Sequence, residues 1–143
     1  MAIIAGLPAE LQVVPPAPVS RDDPQATQKR AAWMAWREQV KRYRAARWAA
    51  AESDKTQQQI ELLKCANSRP YFLTIYGTLH EPRRRKSGVG QPPFIPFEKQ
   101  VILLDELEAA LHAEEGDDQD IVAPKCRDVG LTWTFATAAV HDW

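Results

Sequence analysis

The sequence predicts an α/β chain, helical through its first half and turning to a strand, a glycine loop and a helix near its carboxyl end. Three observations predict this. Helix-forming residues fill 25–51, with apolar side chains three and four apart at Trp33, Trp36, Val40 and Tyr43. Val101, Leu104, Leu107 and Leu111 draw a second apolar line. Asp120-Ile121-Val122-Ala123-Pro124 reads as a short buried strand, with a Gly-x-Thr turn and a helix over 132–141 behind it.

The totals suit about one domain. The chain has 143 residues, 45% of them hydrophobic and 26% charged, enough apolar material for a packed core. No run approaches the ~20 apolar residues of a membrane span. The first residues lack a basic leader and a long apolar stretch, so no signal peptide is expected there. Cys65 and Cys126 are too few for a disulfide framework and too irregular for a zinc site. A reducing cytoplasm is the expected setting. The net charge of −1 conceals a polarity. Residues 1–86 carry 15 basic and 8 acidic side chains, a net of +7, and residues 87–143 carry 3 and 11, a net of −8. The basic half could meet phosphates, or the halves could simply attract one another.

Taken in order, residues 1–22 are rich in proline and alanine and read as an extended arm. Residues 23–80 form a helical region. Asp22 or Asp23 is expected to cap its first helix, with Pro24 in the first turn. Ser53-Asp54 offers a break and a new cap. A second helix over 55–66 is expected to turn Ile60, Leu62 and Leu63 inward. Ser68-Arg69-Pro70 begins a third, short helix with an aromatic face at Tyr71, Phe72, Ile75 and Tyr76. Residues 81–93 read as a flexible basic loop. Residues 94–143 hold the amphipathic helix 98–112, an acidic turn, and the strand, loop and helix.

The loop carries the candidate chemistry. A usual phosphate loop runs GxxxxGK[ST]. Here the eight residues are Lys125-Cys126-Arg127-Asp128-Val129-Gly130-Leu131-Thr132. Gly-x-Thr is kept, Leu131 replaces the usual lysine, and a lysine opens the loop instead. Gly130 would let the backbone approach a phosphate. Amides from Val129 through Leu131 and Thr132 would face it from a helix N-terminus. The Thr132 hydroxyl suits Mg²⁺, and Lys125 or Arg127 could reach the outer phosphates. By itself the segment reads first as an ordinary strand-to-helix turn with a glycine.

Upstream, Pro93-Phe94-Ile95-Pro96-Phe97-Glu98-Lys99-Gln100 adds a second element. The Gln100 amide offers a donor and an acceptor side by side, which matches adenine N6–H and N7. A nearby aromatic could stack on the base, or the segment could be simply a proline-rich helix entry with a solvated glutamine.

Together, SRPYFLTIYGTL, PPFIPFEKQ, the amphipathic helix and the strand leading to KCRDVGLT resemble the opening of tailed-bacteriophage terminase large subunits. The resemblance covers roughly residues 67–143. It implies a RecA-like P-loop nucleotide-binding domain, incomplete here, behind an amino-terminal helical segment. It implies that Gln100 reads adenine, Phe97 or Phe94 lines the base, Lys125 and Arg127 contact phosphates, Gly130 forms the loop, and Thr132 binds the Mg²⁺ of Mg-ATP. The implied activity is ATP-driven translocation of viral DNA into a capsid in the host cytoplasm. The implied partners are a small terminase subunit, the portal protein, double-stranded DNA and further copies in a ring on the portal. No strand ending in Asp-Glu follows the loop, so the acids that would order Mg²⁺ and activate water are absent. These residues are therefore expected to be part of a longer enzyme or a truncated product, inactive alone. The competing expectation is a non-enzymatic module that docks a packaging partner through its tryptophan-rich helix. Candidate DNA or partner contacts are Arg37, Lys41 and Arg44 on that helix and Arg83-Arg84-Arg85-Lys86 in the loop, although a solvated helix packed through its aromatics is the first reading of 29–47.

Overall fold

The computed structural model describes residues 1–16, 23–78, 92–112, 134–136 and 139–140. Among the described residues the named helices are, in order, α1 (Ala9–Gln12), α2 (Ala26–Ser53), α3 (Lys55–Asn67), α4 (Arg69–Tyr76) and α5 (Glu98–Leu111). Helix makes up 73% of the described residues and none lies in a strand or sheet, which does not fit the expected α/β, RecA-like domain. The only extended pairings among them are two isolated antiparallel bridges, Ile3 with Val13 and Thr78 with Pro93. The α/β expectation stood on the strand at 120–124 with the loop and helix behind it, and on the resemblance; the strand and the loop at 125–132 lie outside the described residues. What is described buries apolar faces of helices against other helices, and such packing requires no sheet. Among the described residues, no helix is long and apolar enough to cross a membrane.

Residues 1–16, expected as an extended arm, lie at the centre of the core. Ile4 N donates to Gln12 O at 2.9 Å and Val14 N to Ala2 O at 3.0 Å, closing a small loop around α1. Ala2, Ile4, Leu7, Leu11 and Val14 are all buried, while Ile3 and Val13 face outward. Alternation at 2–4 and the four-residue step from Leu7 to Leu11 therefore both point inward. Gly6 holds a φ of 92°, and a Cβ there would lie 2.9 Å from Tyr71 Cδ2. Glycine is required on both counts. The Trp36 indole closes the packing by donating to Leu11 O at 3.0 Å.

α2 is 28 residues long, about 42 Å. Its buried face is Trp33, Trp36, Val40 and Arg44. Asp23 accepts from Gln25 N at 2.9 Å and from Lys29 Nζ at 2.7 Å, tying down the approach to the first turn. The expected break is present at Asp54, whose side chain accepts from Thr56 N at 2.7 Å and starts α3.

α3 turns the opposite way from its apolar pattern. Leu62 and Leu63 are each 65% exposed and Ile60 is exposed as well, whereas Glu61 is 2% exposed. The cause is polar. Glu61 Oε1 takes a 2.8 Å hydrogen bond from Arg47 Nε, and Oε2 takes one of 2.8 Å from the Tyr71 hydroxyl and one of 3.3 Å from the Tyr76 hydroxyl. Lys64 Nζ stands 3.8 Å away. A buried carboxylate needs this kind of saturation, and the register that supplies it turns the leucines outward.

α4 begins at Ser68, whose hydroxyl accepts from Tyr71 N at 3.2 Å, with Pro70 in the first turn. Tyr71, Leu73, Thr74 and Ile75 are buried. The Thr78–Pro93 bridge and a 3.0 Å bond from Phe94 N to Gly77 O lead the chain from α4 to α5. Val101 and Ile95 join the main core with Tyr71 and Val40, and Leu104 packs with Leu73 and Phe94. Segments assigned from sequence to different regions thus share one interior.

Candidate functional site

The segment before α5 positions the base-reading candidates. Phe94, Ile95 and Pro96 are buried and anchor the chain. Phe97 is the N-cap of α5, with an extended φ of −78° and ψ of 158°. Gln100, three residues on, reaches back so that its Oε1 accepts from Phe97 N at 2.9 Å. This is one half of a capping box, because a phenylalanine cannot return the second bond. The bond fixes the plane of the Gln100 amide relative to the Phe97 backbone. Gln100 is buried, with 7% of its surface exposed.

The Phe97 ring stacks on Trp33 of α2, with centroids 4.6 Å apart and planes 22° apart. Phe97 nevertheless remains 41% exposed. Trp33 is buried in the core, and the Arg37 guanidinium lies 5.4 Å from its ring centroid. The Trp33 indole N–H is buried without a hydrogen-bond partner among the described residues. The start of α5 thus presents an exposed aromatic ring, stacked on Trp33, on a backbone held by the Gln100 side chain.

Lys125, Arg127, Val129, Gly130, Leu131 and Thr132 fall outside the described residues, as do Arg83, Arg84, Arg85 and Lys86. Among the described residues, no group of three His, Cys, Asp or Glu could hold a metal ion.

The basic helix is largely occupied with holding the fold. Arg44, expected as a DNA or partner contact, is only 7% exposed. Its Nη1 donates to Thr74 O at 3.0 Å and to Gly77 O at 2.8 Å, and its guanidinium lies 4.7 Å from the Trp48 centroid. Trp48 Nε1 donates to Ile75 O at 2.8 Å. Both side chains thus satisfy carbonyls at the end of α4, where a helix leaves acceptors without partners. Burial brings the Arg44 guanidinium down to about 10, against the opposing pull of Tyr76. Lys41 is paired with Glu38 at 2.6 Å. Arg37 is half-buried over Trp33. The tryptophans expected to dock a partner are engaged internally as well: Trp33 and Trp36 are buried, and Trp48 is bonded to α4.

Two features escaped sequence reasoning. The partnership of Trp33 with Phe97 joins α2 to the segment before α5, and no periodicity links positions so far apart. Glu61 inside α3 is surrounded by apolar neighbours, and only the surplus of partners on α2 and α4 explains its burial. Compared with known proteins, the chain matches no protein-family model, no curated protein and no solved structure.

Proposed function

We propose that this chain binds the adenine ring of Mg-ATP at Phe97 and Gln100, as the amino-terminal part of a terminase large subunit that powers translocation of viral DNA into a capsid. The observation that carries the reading is the Phe97–Gln100 arrangement, an exposed ring backed by Trp33 beside an amide held at 2.9 Å. The order of motifs along the sequence supports it. By that resemblance Lys125 and Arg127 contact the phosphates, Val129 to Leu131 supply amides, and Thr132 holds Mg²⁺. The partners are then a small terminase subunit, the portal protein, double-stranded DNA near Arg83 to Lys86, and sister copies in a ring, all in the host cytoplasm.

Gln100→Glu tests the base contact. Glutamate at this position keeps the acceptor for Phe97 N and suits the first turn of a helix. It removes the amide donor that adenine N7 requires. Guanine carries the same N7 acceptor, so the loss is read in affinity rather than in preference: at about 1–3 kcal/mol for a well-made contact, Mg-ATP affinity should fall by ~5–100-fold. An unchanged Mg-ATP affinity in a folded Gln100→Glu chain counts against the site.

A second reading, a non-enzymatic module that docks a packaging partner, draws support from α3 rather than from the tryptophans. Ile60, Leu62 and Leu63 stand exposed there. Leu63→Lys would then abolish partner binding and leave nucleotide binding intact. The base-site reading expects no dependence of nucleotide affinity on Leu63.

A further inference from the structure

We propose that Trp33 is a positioning residue for the base site, so that α2 takes part in nucleotide recognition through Phe97. The inference rests on the adenine reading and adds a residue outside the motif. Phe97 sits at an N-cap with an extended backbone and is 41% exposed, so little of its own helix restrains the ring. Trp33 supplies the restraint, stacked at 4.6 Å with 22° between planes. Trp33 itself is fixed, only 9% exposed and packed in the core that holds Ile4, Trp36, Tyr71 and Val101.

The indole donor gives a second, independent argument. Trp36 places its N–H on Leu11 O and Trp48 on Ile75 O. The Trp33 N–H is buried with no acceptor among the described residues. A buried tryptophan normally finds a partner for that group. What the indole at position 33 does contribute is its flat ring, stacked on Phe97. Arg37 stands over the same indole and helps to hold its plane. A base arriving at Phe97 then meets a ring already ordered, and the ordering cost falls on the fold instead of on binding.

The test uses the full chain with Mg²⁺ and compares dissociation constants for ATP and for inorganic tripolyphosphate, which lacks a base. The variants are Trp33→Leu, Trp33→Phe, Phe97→Leu and the double Trp33→Leu/Phe97→Leu. Trp33→Leu should weaken ATP by ~3–10-fold and leave tripolyphosphate within about 2-fold. Trp33→Phe keeps a flat ring and loses no hydrogen bond, so ATP should stay within about 2-fold. The double variant should bind ATP no more weakly than Phe97→Leu alone, because Trp33 acts through Phe97. If Trp33→Leu does not fold, tryptophan emission decides: ATP should change it in the wild type and change it far less in Trp33→Phe. A folded Trp33→Leu with wild-type ATP affinity, independent losses in the double variant, or an equal emission change in Trp33→Phe overturns the proposal. Wild-type ATP affinity in Phe97→Leu overturns the base site itself, which separates the two failures.

Discussion

The Tyr71 hydroxyl donates to Glu61 Oε2 at 2.8 Å in the interior between α3 and α4, where Tyr71 is 0% and Glu61 2% exposed. Arg47 holds the other carboxylate oxygen, so one acid links α2, α3 and α4. Removing one partner from such a set leaves buried charge or buried donors without compensation. Glu61→Ala should therefore destabilise the chain by on the order of 3 kcal/mol, and Glu61→Gln by less, because the amide can still accept from Tyr71. Urea denaturation measures both. A Glu61→Ala cost below about 1 kcal/mol would show that the network is not what turns α3.

The outward leucines offer the complementary measurement. Leu62→Gln and Leu63→Gln should each change stability by no more than about 0.5 kcal/mol, as exposed substitutions do. If either costs as much as a core leucine, about 2 kcal/mol or more, then α3 packs on its apolar face and the register described here is wrong.

Gly6→Ala places a methyl group where the Tyr71 ring lies and forces an L-residue to a φ of 92°. Both effects oppose folding. A loss of about 1–3 kcal/mol is expected, readable as a lower thermal midpoint. A neutral Gly6→Ala would mean that residues 1–16 do not pack on α4.

Alkaline pH should loosen the same interior. Burial, then the charge of Glu61, pushes the Cys65 thiol up to about 12 from 9.0. Burial and Glu61 likewise push the Tyr76 phenol up to about 12 from 10.0, and the Tyr71 phenol upward also. The folded chain thus keeps protons that the unfolded chain has already released. Between about pH 9 and 12 the unfolded state binds fewer protons, so stability falls as pH rises. Denaturation midpoints at pH 7, 9 and 10.5 should decline in that order, and the decline should be shallower in a Cys65→Ala/Tyr76→Phe chain. A midpoint that stays constant to pH 10.5 would contradict this protonation pattern.

The sequence made the helices legible because their signals are local. The 33/36/40 spacing, the Asp54 and Ser68 caps and the 101/104 line each lie within a few residues of one another, and each is found in place. Register and packing were less legible because they depend on distant partners. Ile60 and Leu63 look like a core face until Arg47, Tyr71 and Tyr76 are seen to converge on Glu61. Residues 1–16 look like an arm because Pro8, Pro15 and Pro16 mask the inward set of Ile4, Leu7, Leu11 and Val14. The α/β expectation failed because it extended a short strand at 120–124 and a resemblance of motifs to a chain whose described residues are helical. In the candidate site, the stacking of Phe97 on Trp33 was not legible, because it joins residues on distant segments.

The most direct test is a calorimetric titration of the wild-type chain with Mg-ATP and, separately, with Mg-GTP. If the Gln100 amide reads adenine from its place beside the Phe97 ring, ATP should bind more tightly than GTP by at least about 5-fold. Equal affinities, or no heat with either nucleotide, would contradict a base site at Phe97 and Gln100.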